Sequence, residues 1–155
     1  MGLVTRSRPI IDVVTNRESS PARPVRCPCL SGETYVGCCG RLHSGSLSAP
    51  TAVTLMRARY SAFAVRQPRY LLATWHASTR PATLELDGDL QWMRLDVHRA
   101  LHGGLLDSGG VVEFTAHFRV HGRRHEQHEV SRFVKENRRW FYVGDLDQTS
   151  QGQRG

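Results

Sequence analysis

At 155 residues, with 39% hydrophobic and 23% charged side chains, the chain has the length and balance of one small globular domain, which excludes fibrous and many-domain classes. It has no run of about 18 apolar residues, which excludes a membrane-spanning helix. The net charge of +7 invites a nucleic-acid partner, yet Arg6, Arg8, Arg17, Arg23 and Arg26 crowd the start and no basic stripe with interleaved aromatics follows, so specific nucleic-acid binding is not expected.

Residues 1–26 read as a disordered leader, rich in arginine and carrying Ser19, Ser20, Pro21 and Pro24. Their only apolar run, Ile10 to Val14, is broken by Asp12 and is too short for a signal peptide. The expected location is therefore cytoplasmic, where thiols stay reduced. All four cysteines fall within residues 27–45, as Cys27-Pro28-Cys29, eight intervening residues, then Cys38-Cys39. In a reducing compartment such crowding points to metal rather than disulfides, and four thiolates suit the tetrahedral preference of Zn2+. A redox dithiol would space its cysteines by two residues, whereas Cys27 and Cys29 have one between them. Gly32 and Gly37 let the backbone fold back between the pairs. Adjacent cysteines are strained as joint ligands, so His43 stays open as a replacement for one of them.

Beyond Pro50, residues 51–66 carry Ala52, Leu55, Met56, Tyr60 and Phe63 at helical spacing, and Pro68 opens a second expected helix to about residue 76. Alternation then predicts strands over 92–100, with Met93, Leu95 and Val97 inward, and over 111–120, 125–135 and 139–144. Helices followed by strands give an α+β domain over 50–147, with 148–155 a flexible tail. If Gly122-Arg123 is a two-residue hairpin loop, Glu113 faces Arg132, His117 faces His128 and Arg119 faces Glu126. His117 and His128 across the strands lack a third ligand and read as a polar face. The opposite face carries Val112, Phe114, Ala116 and Phe118 against Phe133, Ser131, Glu129 and Gln127, which turns Glu129 inward opposite Ala116. Arg59 falls on the apolar stripe of the first helix, so Arg59 and Glu129 are expected to pair or to share a water-filled cavity.

Cys27 to Gly40 resembles the SEC-C motif, the zinc knuckle at the C-terminus of the translocation ATPase SecA, which implies Cys27, Cys29, Cys38 and Cys39 as ligands. Leu30 stands where that motif usually has glycine. The segments Leu55 to Phe63, Tyr70 to His76 and Glu129 to Phe133 are similar, in that order, to the YchJ-like family of bacterial proteins, over roughly residues 27–145 of this chain. That resemblance implies a zinc knuckle joined to a nuclear transport factor 2-like domain, a cone of helices on a curved antiparallel sheet.

Cones of that kind commonly hold a cavity, and Arg59, Tyr60, Trp75, His76, Glu129 and Ser131 are the residues expected to line it. Aromatic walls with few polar groups suit a small polar or anionic ligand. Two functions remain open. One is a zinc-stabilised binding or adaptor module, its knuckle facing a protein or ribosomal partner. The other is an enzyme acting on a small molecule, with His76 as acid or base beside Glu129 and Arg59. His76 at a helix end also reads simply as a residue favoured by the helix dipole. No phosphate loop, nucleophile elbow or paired-carboxylate motif favours the enzyme.

Overall fold

The computed structural model describes residues 23–146; most of the expected leader, and the expected tail over 148–155, lie outside the described residues. The elements run α1 (Cys39–His43), α2 (Ala52–Ala64), α3 (Pro68–Ala73), β1 (Leu90–His102), β2 (Gly109–Val120), β3 (Arg123–Glu136) and β4 (Arg139–Asp145). The strands form one antiparallel sheet in sequence order, and the chain is α+β with a cysteine knuckle at its start.

Helix α2 starts where Thr51 caps it, the Thr51 hydroxyl accepting from the Thr54 amide at 3.2 Å. It buries residues nearly all the way round. Leu55, Met56 and Tyr60 pack on the sheet with Leu95, Val112, Phe114, Phe133 and Trp140. Ala58 packs instead with Cys27, Cys29, Cys39 and Leu42 of the knuckle. A helix buried on two sides shows no single apolar stripe, which is why its second face escaped the periodicity argument. Helix α3 is shorter than expected, ending at Ala73. The chain beyond it runs beside β4 instead, with the Tyr142 amide donating to Thr74 O at 2.8 Å and the His76 amide to Tyr142 O at 2.7 Å.

Two features of the sheet correct the sequence expectations. The hairpin loop is His121-Gly122, both residues having positive φ (48° and 78°), so Val120 pairs with Arg123. A type I′ loop requires φ > 0 at both positions, and this choice shifts every expected pair by two residues. Glu113 thus faces Val130, His117 faces Glu126 and Arg119 faces Arg124, while Glu129 faces Phe114 rather than Ala116. A two-residue shift preserves the faces, so Glu129 still points inward. In β1, the ladder is interrupted between Trp92 and Arg94 and again between Val97 and Arg99. The first bulge turns Trp92 towards the core and leaves Met93 42% exposed, contrary to the alternation. Bulges bend the strand they interrupt, and the bend opens space between sheet and helix.

Candidate functional site

The knuckle begins before Cys27. The Tyr35 amide donates to Val25 O at 2.8 Å, the Cys27 amide donates to Glu33 O at 3.0 Å, and the Arg26 guanidinium donates to Gly32 O. This small hairpin presents Cys27 and Cys29, and the start of α1 presents Cys38 and Cys39. The four sulfurs lie within 4.8 Å of one another, with Cys29 and Cys38 3.6 Å apart. A tetrahedron with metal–sulfur bonds of ~2.3 Å has edges of about 3.8 Å, so the cluster needs little adjustment to close on a metal. Cys27, Cys29 and Cys39 are each only 2% exposed.

Burial pushes the Cys27 thiol up, but amides of Cys29 and Cys39 and the Cys39 and Ser61 side chains outweigh it and hold the thiol at about 7. Burial dominates at Cys29 and Cys39 and pushes both thiols up. At Cys29 and Cys39 the thiolate is therefore disfavoured without a cation, and a divalent ion binding here must release protons from them.

His43 is not among the sulfurs' partners. Its Nε2–H donates to Ala58 O at 2.7 Å and its Nδ1 accepts from the Tyr35 hydroxyl at 2.8 Å, so both nitrogens are spent joining the knuckle to α2. Replacing His43 by phenylalanine is expected to cost about 1–3 kcal/mol by stranding these groups, with metal content per chain unchanged. Urea denaturation with metal analysis checks both. Leu30 has φ 60°, the left-handed conformation that glycine would adopt freely. Leu30→Gly is expected to stabilise the knuckle by roughly 0.5–1 kcal/mol, after the entropy glycine adds to the unfolded chain, read as greater resistance to a chelator.

On the other side of α2, a recess of about 290 Å³ lies between that helix and the sheet, with Arg59, Tyr60, Trp75, Trp92, Phe118, Glu129 and Tyr142 among its walls. Arg59 and Glu129 share it but form no forked pair. Arg59 donates from Nη1 to Leu71 O at 2.7 Å and to Thr74 Oγ1 at 2.8 Å. Its guanidinium carbon stands 4.4 Å from the Tyr142 ring centre and 5.1 Å from that of Trp75. Tyr142 then donates its hydroxyl to Glu129 Oε1 at 3.1 Å, so the tyrosine stands between the two charges. Burial lowers the Arg59 pKa to about 10, opposed by the neighbouring Tyr142, Tyr70 and Glu129 side chains, and the group stays cationic at neutral pH. Burial raises the Glu129 pKa against the hydrogen bond from Tyr142.

Two expected members stand elsewhere. His76 Nε2 meets Glu136 Oε1 at 2.8 Å and its Nδ1 meets Ser78 Oγ at 2.6 Å, which ties the ring to the outer edge of the sheet and away from the recess. Ser131 is fully buried behind the wall. Its hydroxyl lies near Glu129 and Tyr142 without a hydrogen bond of normal geometry to either. Tyr142 was missed as the link between the charges, although alternation from Trp140 along the final strand places it on the inner face. On the outer face, His117 sits 2.8 Å from Asp96 and His128 sits 2.9 Å from Glu113, so these histidines hydrogen-bond separate carboxylates rather than share a metal site.

The YchJ middle NTF2-like domain family matches residues 51–145. A UPF0225 protein of Chromobacterium violaceum is 50% identical over 77% of this chain and 91% of its own length. One of Bordetella pertussis is 46% identical over 83% of this chain and 98% of its own. The solution structure of a SEC-C motif containing protein from Rhodopseudomonas palustris is similar with TM-score 0.68 and 33% identity, covering 77% of this chain and 96% of that one. A SEC-C motif containing protein from Psychrobacter arcticus gives TM-score 0.64 and 27% identity over 77% and 81%.

Proposed function

The chain belongs to the YchJ-like family, and on that footing we propose that it is a Zn2+-stabilised cytoplasmic binding protein whose recess under α2 takes a small polar ligand. The observation that carries this reading is the chemistry of the recess. Its polar wall residues are Arg59, Gln127 and Glu129 with the amphipathic Tyr60 and Tyr142, while no His, Cys, Ser or Lys lines it among the described residues. Such groups orient a ligand; Glu129, its pKa raised by burial, is the one acid or base among them, and no activated nucleophile stands beside it. The enzymatic alternative needs His76 to converge with Glu129 and Arg59, and His76 is instead engaged at Glu136 and Ser78, outside the recess that the other two line.

Cys27, Cys29, Cys38 and Cys39 would hold the metal, which supplies folding free energy there, since four protein ligands leave no open position for water or substrate. The reducing cytoplasm keeps such thiols available. Leu30 and Val36, 60% and 79% exposed on the knuckle, support its use as a contact surface for a protein partner, ribosomal or otherwise. Native mass spectrometry of the full chain tests both halves. One zinc per chain, with a further small mass lost on denaturing spray, is the expected result. A metal-free chain short of hydrogens in pairs would mean disulfides, and would overturn the metal assignment.

A further inference from the structure

Burying a charged group is costly unless a partner replaces its lost hydration. Arg59 is 3% exposed, yet both of its hydrogen bonds leave from Nη1. Glu129 accepts one hydrogen bond, at Oε1. Among the described residues, no hydrogen bond of normal geometry reaches the other guanidinium nitrogens or Glu129 Oε2, with the Ser131 hydroxyl lying close behind Glu129, and both side chains line the recess. The recess is therefore dipolar. Its cationic end is Arg59, backed by the rings of Trp75 and Tyr142; its anionic end is Glu129, to which the nearby charge of Asp145 adds. Tyr142 stands between the ends, its ring centre 4.4 Å from the guanidinium carbon and its hydroxyl 3.1 Å from the carboxylate, so the two charges flank one aromatic side chain.

We propose that the recess binds a small aromatic zwitterion, its carboxylate in the open fork of Arg59, its ammonium on Glu129, and its flat body against Trp92 and Phe118. This rests on the reading of the recess as a ligand site and names the ligand's class. A simple anion would meet Glu129 unpaired, and a simple cation would meet Arg59; only a net-neutral, dipolar molecule satisfies both ends. The volume of about 290 Å³ holds roughly ten waters' worth of liquid, enough for one ring with two short polar arms.

The test uses the full zinc-loaded chain and four matched probes: 4-(aminomethyl)benzoate, benzoate, benzylamine and toluene. Binding is followed at the tryptophan indole N–H signals, where Trp75 and Trp92 report the recess and Trp140, outside it, serves as control. The zwitterion is expected to bind at least about tenfold more tightly than either half-molecule. Glu129→Gln, which keeps the size and an acceptor for Tyr142, should bring the zwitterion down to the level of benzoate. Toluene binding as tightly as the zwitterion would overturn the ligand class while leaving the recess a binding site. No response at Trp75 or Trp92 to any probe would overturn the binding-site reading as well.

Discussion

Replacing Cys29 by serine should release the metal and melt residues 25–45, because structural zinc contributes on the order of 10 kcal/mol to small knuckles that have little core of their own. The loss should not stop at the knuckle. Ala58 and Ser61 of α2 are fully buried at the seam, with the Ser61 hydroxyl 3.7 Å from Cys27 Sγ and Ala58 O accepting from His43. Amide exchange should therefore rise steeply over 25–45 and moderately over 56–62. The sheet should keep its protection, because Leu95, Val112, Phe133 and Trp140 form a separate cluster with the opposite face of α2. Protection lost throughout β1 to β4 would mean that knuckle and cone are one cooperative core.

Arg59→Leu should cost about 3–5 kcal/mol in urea denaturation, a large effect for one side chain. The change removes the stronger donor to Leu71 O, which keeps only the Thr74 hydroxyl at 3.4 Å, removes a cation from between two aromatic rings and leaves Glu129 in the recess without its compensating charge. If compensation across Tyr142 is real, Glu129→Gln added to Arg59→Leu should recover roughly 1–2 kcal/mol. Strict additivity of the two changes would show that Arg59 serves only α3 and the rings. Arg59→Lys should fall between, since it keeps charge but not the planar fork.

The elements most legible in the sequence were those with a local signal. Thr51 and the spacing of Leu55, Met56 and Tyr60 located α2, and the alternation over 111–120 placed Glu129 on the inner face even with its pairing misjudged by two residues. The cysteine spacing likewise identified the cluster, because ligands close in sequence must be close in space. What stayed hidden depended on contacts between distant segments. Ala58 and Ser61 look like ordinary helix residues, and only the docked knuckle explains why they are small. His43 reads equally as a ligand until Tyr35 and Ala58 claim its nitrogens. The bulge at Met93 has no local signature, and it turned Trp92 rather than Met93 inward while Leu95 and Val97 kept the expected face. His76 lay one strand away from its true partner Glu136, sixty residues on.

The central claim is a closed four-sulfur metal centre that fastens the knuckle to the helix roofing the recess. X-ray absorption at the zinc edge, on the full chain purified under reducing conditions, tests it most directly. Four sulfur neighbours at about 2.3 Å, with no nitrogen or oxygen in the same shell, is the result the account predicts. A shell containing a light atom near 2.0–2.1 Å would mean that a histidine or water has replaced a cysteine and would contradict the closed site, and an imidazole pattern in that shell would contradict the structural role given to His43 as well.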